Sequence, residues 1–133
     1  MKFVTWNKGN GKATNSIERI KSIILEDKPQ LLFISELQLS KDEDSTLMKI
    51  EGYKLITDDL MKKFHMCRSG FYIQNDIMFT WKRKYEGKDD SSICIEIGFP
   101  KQNRVNVFGH YRQWNETGFK NSTIVKQSER LKN

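Results

Sequence analysis

The run Leu31-Leu32-Phe33-Ile34, entered through Lys28-Pro29 and closed by Ser35-Glu36, constrains this chain more than any other segment. Four consecutive apolar residues between polar ones suit a strand covered on both faces. Pro29 stops any helix that approaches it from upstream. Nearer the N-terminus, Lys2-Phe3-Val4-Thr5-Trp6 alternates and is rich in strand formers. Residues 7–15 follow, with Gly9, Gly11 and three asparagines, and their composition predicts a loop. Ile17, Ile20, Ile23 and Ile24 then fall at helical spacing, which predicts one apolar stripe on a short helix. Asn15 or Ser16 can cap it, with Glu18 in its first turn. Strand, helix and strand at this crossover length predict two neighbours in one sheet, joined right-handedly if they run parallel.

The remaining pattern is mostly strand. Residues 39–44 read as a polar loop, and residues 45–50 as a short helix ending at Gly52. Tyr53-Lys54-Leu55-Ile56-Thr57 alternates as a strand, while residues 58–69 are mixed and basic and carry no assignable pattern. Gly70-Phe71-Tyr72-Ile73-Gln74 and Ile77-Met78-Phe79-Thr80-Trp81 predict two strands around an Asn75-Asp76 turn. Residues 85–90 and 113–120 read as loops. Residues 93–97 and 105–108 predict two further strands with a turn between them. Residues 122–132 fit an amphipathic helix through Ile124, Val125 and Leu131. One early βαβ unit followed by antiparallel strands predicts an α/β (α+β) fold, with a mixed, largely antiparallel sheet and flanking helices.

Length and composition narrow the classes. A chain of 133 residues fits one domain and can bury a real core. Its 11% aromatic content argues against disorder. No apolar run is long enough to span a bilayer, and residues 1–7 enter a strand pattern without an apolar leader, so an intracellular, reducing setting is expected. Cys67 and Cys94 are too few for a disulfide scaffold. The net charge of +6 suggests an anionic partner, nucleic acid before membrane.

Four constellations could carry chemistry. Asn7 lies just beyond the first predicted strand and Glu36 at the end of the second. If those strands are parallel neighbours, both emerge at the carboxyl edge of the sheet, where open α/β sheets place ligands. A carboxylate there is a natural hard-metal ligand, and an amide beside it can orient a phosphate. The bland reading makes Asn7 a turn cap and Glu36 a solvated strand end. Gly109-His110-Tyr111-Arg112-Gln113-Trp114 gathers an imidazole, a phenol, a guanidinium and an indole in one stretch. Tyr111 and Arg112 could contact a phosphate and Trp114 could stack on a base, although, taken alone, a strand end with aromatics in the core and Arg112 on the surface explains the stretch better. Residues 8–14 resemble a P-loop, but its first glycine would fall at Trp6 and its hydroxyl at Ala13. A basic loop whose Lys8 and Lys12 touch a phosphate backbone is the milder reading. His65, Cys67, Cys94 and His110 lack the paired spacing of a zinc site.

The order of these segments resembles the endonuclease/exonuclease/phosphatase superfamily. The resemblance rests on Thr5-Trp6-Asn7, the Ile-rich helix, Pro29-Gln30 leading into the strand that ends at Ser35-Glu36, Gly52-Tyr53, Gly70-Phe71-Tyr72-Ile73, and Tyr111-Arg112. The continuation through Gln113-Trp114-Asn115, Ser122, Gln127 and Glu129-Arg130-Leu131 looks most like endonuclease domains of non-LTR retrotransposons and related reverse-transcriptase polyproteins. The family entry is Pro-Asp where this chain has Pro29-Gln30. The family's second half, which carries an Asp-x-Asn motif, a further Asp and a catalytic His, has no counterpart in these residues. The resemblance therefore implies the N-terminal half of a four-layered sandwich, one domain over residues 1–133 lacking its C-terminal half.

What it implies chemically is Mg²⁺- or Mn²⁺-assisted phosphodiester hydrolysis on a nucleic-acid backbone. Glu36 would ligate the metal, Asn7 would orient metal or phosphate, and Tyr111 would steady the phosphate as charge develops. Arg112, Trp114, Lys8 and Lys12 would line the nucleic-acid surface. Two other readings stand beside it: a nucleic-acid binding module without catalysis, and an inactive remnant. Half a sandwich would leave an apolar sheet face open, a surface for self-association or for its missing half.

Overall fold

The computed structural model describes residues 2–58, 65–82, 91–98, 104–112 and 121–128. The chain is α+β, with two four-stranded sheets and, among the described residues, one α-helix. Strand β1 (Phe3–Asn7) leads through a 3-10 turn (Ala13–Ser16) into helix α1 (Ile17–Asp27) and then into β2 (Leu31–Ser40). A second 3-10 turn (Ser45–Met48) precedes β3 (Tyr53–Thr57) and β4 (Met66–Gln74). The second sheet holds β5 (Phe79–Trp81), β6 (Ser91–Ile97), β7 (Val105–Arg112) and β8 (Asn121–Ser128).

The βαβ expectation holds. β1 pairs parallel with β2, from Phe3 opposite Leu31 to Asn7 opposite Ser35. Helix α1 ends where Lys28 adopts a left-handed backbone and its N–H bonds the Ile24 carbonyl at 2.9 Å, one residue before Pro29. Ile20 and Ile23 pack against Leu32 and Ile34 on one face of the first sheet. The opposite face carries Leu31, Phe33, Phe71 and Ile73. This alternation in β2 explains its continuous apolar run, since both faces are covered.

What covers the second face is the second sheet. Ile93, Ile95, Ile97 and Val107 pack on Leu31, Phe33, Phe71 and Ile73. The layers therefore run helix, mixed sheet, antiparallel sheet. The apolar face that a half-sandwich would leave open is closed from within the chain. Phe33 and Phe71 stack at 4.9 Å between ring centroids, tilted by 50°. Gly109 on β7 lies directly over them: a Cβ there would stand 2.4 Å from one atom of the Phe33 ring and 2.7 Å from the Phe71 ring.

Three expectations need correction. Residues 70–74 and 77–81 do not form a hairpin. β4 is flanked by β2 and β3, so neither of its edges is open to β5. Past Gln74 the chain turns, with Ile77 N donating to the Gln74 carbonyl at 3.0 Å, and β5 pairs with β6 in the other sheet. The helix expected over 122–132 is strand β8 as far as Ser128, paired with β7 from Arg112 opposite Asn121 to Val105 opposite Ser128. Thr123, Ile124 and Val125 are consecutive β-branched residues beside a strand edge, and the ladder outweighs the helical spacing. The short helix over 45–50 is a 3-10 turn, capped by Asp44 on the Thr46 N–H at 3.0 Å. The loops expected over 85–90 and 113–120 lie outside the described residues.

Gly109→Ala tests the sheet contact. The added methyl meets two fully buried rings, so a loss of about 3 kcal/mol in urea unfolding is expected. Gly98→Ala, with nothing within 4 Å of the new Cβ, serves as the near-neutral control.

Candidate functional site

The carboxyl ends of the parallel pair build the site. Asn7 is the last residue of β1 and stands opposite Ser35. Beyond Ser35 the β2–β4 register shifts before resuming at Leu39, and both Glu36 (φ 55°) and Gln38 (φ 56°) adopt left-handed backbone. Side chains in such a bulge leave the regular alternation, and this strain is uncommon for residues other than glycine. The bulge brings the Glu36 carboxyl to the amide of Asn7, whose Nδ2 donates to Glu36 Oε1 at 3.2 Å. Glu36 is 1% exposed, whereas Asn7 is open to solvent. The Asn7 amide is oriented from its other side, because the Gly9 N–H donates to Asn7 Oδ1 at 2.9 Å.

The loop after β1 continues the same edge. Lys8 N donates to the Ser35 carbonyl at 3.0 Å and extends the ladder by one step. Its ammonium folds back to the carbonyls of Gly9 (3.2 Å) and Gly11 (2.5 Å). Burial lowers the Lys8 pKa, and the charges of Glu43 and Glu36 oppose that shift. Thr14, at the far end of the loop, donates its N–H (3.0 Å) and hydroxyl (2.9 Å) to Glu43 Oε1. Ser40 N holds the other Glu43 oxygen at 2.8 Å. Burial alone would raise the Glu43 pKa, but the hydrogen bonds from Ser40 and Thr14, with the charge of Lys12, hold it below the usual carboxylate range. Glu43 was not singled out by the sequence, where it sits in a charged run that resembles any solvated loop. Lys12 is exposed beside this clip.

A second group that the sequence did not mark lies between the sheets. Asp58, just past β3, is 3% exposed. Its Oδ2 accepts from the N–H groups of Arg68 (2.8 Å) and Ser69 (2.8 Å) and from the Ser91 hydroxyl (2.7 Å). The Ser69 and Ser91 hydroxyls also bond each other. Ser69 stands opposite Ser35, which stands opposite Asn7, and Ser91 stands opposite Tyr111 on β7. Through these pairings the backbone of Tyr111 comes to the level of Asn7 on the neighbouring sheet. Arg112 ends β7 one residue further on. Trp114 lies outside the described residues.

The structure thus brings Asn7, Glu36 and Lys8 together, sets Lys12 at the rim, and places the Tyr111 backbone at the same level across the sheets. Asn7 turns its amide Nδ2 to Glu36 and its Oδ1 to the Gly9 N–H, so the hard-oxygen ligand described at this edge is the Glu36 carboxylate. Among the described residues no three or more His, Cys, Asp or Glu side chains form a metal cage. One carboxylate suits Mg²⁺, which keeps waters and binds through one or two carboxylates together with substrate phosphates. Cys67 is buried, with its Sγ against the Thr57 hydroxyl at 3.4 Å and the Asp58 carbonyl at 3.6 Å. No helix among the described residues is long and apolar enough to cross a membrane. No family model, curated protein or solved structure matches the chain.

Two outcomes follow from this geometry. Asp58→Ala strands the N–H donors of Arg68 and Ser69 and removes an acceptor from the Ser91 hydroxyl, and is expected to lower stability by about 3 kcal/mol in chemical denaturation. A depressed folded-state pKa gives Glu43 a stabilising contribution that is present above its unfolded value and is lost as pH falls through the folded one. Thr14→Val removes one of its donors, so a carboxyl-carbon NMR titration should show the Glu43 midpoint moving up.

Proposed function

We propose that this chain is a divalent-cation-dependent phosphodiesterase domain of endonuclease type, acting on the phosphates of a nucleic-acid backbone in the nucleus or cytoplasm. The observation that carries the reading is the hydrogen bond from Asn7 to the buried Glu36 carboxyl at the carboxyl ends of two parallel strands. A buried carboxylate at that edge is a hard-oxygen group of the kind that holds a divalent cation together with substrate phosphates. Mg²⁺ or Mn²⁺ bound there would supply neutralisation of the phosphate oxygens. Glu36 holds the cation, and Asn7, fixed by the Gly9 N–H, sets the carboxylate's orientation. Tyr111 and Arg112, the last two residues of β7, are assigned the phosphate contact. Lys12 contacts the backbone from the rim, and Trp114 stacks on a base. The family resemblance assigns the base that activates water, and a histidine that supports the transition state, to a second half, so the proposal includes a segment or partner that supplies them.

A second reading is a nucleic-acid binding module without hydrolysis, favoured by the net charge of +6 and by the exposed Lys12 at the rim. Nicking of supercoiled plasmid separates the two. The endonuclease reading expects nicking that needs Mg²⁺, stops with EDTA, and falls about a hundredfold or more in Glu36→Gln. Plasmid binding that is indifferent to Glu36→Gln, with no nicking by the wild type, would replace it with the binding module.

A further inference from the structure

Strand β3 forms the edge of the first sheet away from β1, and its backbone faces two ways. Asp58 N donates to the Ser69 carbonyl at 3.2 Å, and Asn75 N donates to the Gly52 carbonyl at 2.9 Å. These two bonds fix the parity of the antiparallel β3–β4 ladder, whose register is unbroken from Tyr53 opposite Gln74 to Thr57 opposite Gly70. Gly52, Lys54, Ile56 and Asp58 are therefore the residues that bond β4, while Tyr53, Leu55 and Thr57 turn their N–H and C=O groups outward. Tyr53 N is taken up locally by the Ile50 carbonyl at 3.1 Å. Among the described residues no strand pairs with the outward groups of Leu55 and Thr57. Proteins blunt such an edge with proline, a bulge or a very short strand. β3 has five residues and contains neither proline nor bulge. Its edge opens into a groove of about 960 Å³. Met48, Tyr72 and Leu55 line the groove from the helix-covered face of the sheet, and Trp81 from the face turned to the second sheet.

We propose that β3 is a strand-addition site, where an extended, acidic segment of a partner protein pairs with Leu55 and Thr57 and lies in this groove. Leu55 and Thr57, two residues apart and each offering a donor and an acceptor, match the repeat of an extended backbone. A helix, whose backbone bonds close internally, cannot meet them. The charge of the partner follows from the groove wall. Lys49 and Lys54 are exposed there against one exposed carboxylate among the described lining residues, Glu51. The Asp58 carboxyl, 3% exposed, is turned to the Arg68 and Ser69 N–H groups. Side chains of an added strand alternate in step with those of β3. A residue beside Lys54 shares its face, and a residue beside Leu55 shares the face of Met48 and Tyr72. The segment that fits therefore alternates carboxylate with apolar side chains. This surface is separate from the Asn7–Glu36 edge and does not depend on the reading of that edge as a cation site.

A blocked peptide alternating glutamate with valine is the probe, added to the full chain at about 1 mM and read by amide hydrogen exchange in NMR. The Leu55 and Thr57 amides are expected to slow about tenfold, whereas those of Lys54 and Ile56, already bonded to β4, change little. Leu55→Pro removes an outward N–H and none of the bonds to β4, and should abolish the slowing at Thr57. Leu55 also packs against the core, so two further arms leave that packing alone. The same peptide with its amides N-methylated has no N–H to donate and should not slow either amide. Lys54→Glu should weaken the glutamate peptide about fivefold. No slowing in the wild type would overturn the proposal. Equal slowing by the N-methylated peptide would overturn strand addition, and equal slowing by a lysine–valine peptide would overturn the acidic partner. A wild-type dimer in sedimentation that Leu55→Pro dissociates would give the edge to a second copy of the chain instead.

Discussion

The contact between the two sheets is the constraint on which the rest of the structure depends. It is set at Gly109, where β7 comes close enough to the Phe33 and Phe71 rings that no side chain fits between. Burying those rings, with Leu31 and Ile73 from the first sheet and Ile93, Ile95, Ile97 and Val107 from the second, removes a continuous apolar surface from water. Apolar contact is non-directional and would tolerate sliding. Asp58 supplies direction. Its carboxyl, bound to the β4 backbone and to Ser91 on β6, ties one register of the first sheet to one register of the second.

That tie lies at the level of the candidate site. Ser69, Ser35 and Asn7 form one row across the first sheet, and Ser91 and Tyr111 continue it on the second. The interior polar group and the polar edge are thus parts of one layer of the molecule. Below this row the space between the sheets is hydrocarbon, and at it the groups become hydroxyl, amide and carboxyl. The β2 bulge does the remaining work by carrying Glu36 out of the regular alternation and toward Asn7. The loop then adds Lys8 and, through Thr14 and Glu43, fastens itself to the segment that follows β2.

Much of the first half was legible in the chain. Periodicity found α1, Pro29 marked its end, and the apolar run found β2, because each signal is local and carried by side-chain spacing. The placing of Asn7 and Glu36 at one sheet edge followed from parallel pairing, while their contact depends on the bulge after Ser35. Other elements were not legible. Residues 70–81 look like a hairpin from any local standpoint, and only the prior occupation of both β4 edges sends β5 elsewhere. Residues 122–128 suit a helix or a strand, and the open edge of β7 decides. Asp58 and Glu43 sit in charged, patternless stretches, so nothing local separates a buried acceptor from a solvated one.

By itself, then, the sequence determined an α+β chain with an early parallel βαβ unit and an Asn–Glu pair at one sheet edge, because those features depend on spacing within a few dozen residues. Only the tertiary structure decided that the later strands form a second sheet stacked on the first. It also decided that Asp58 joins the two, that Glu36 is buried in a left-handed bulge, and that Lys8 turns back onto its own loop. The physical reason is common to all four. Which strand edge is free, which carboxylate loses water and which carbonyl meets an ammonium are set by what packs alongside, and that information is absent from the spacing of residues along the chain.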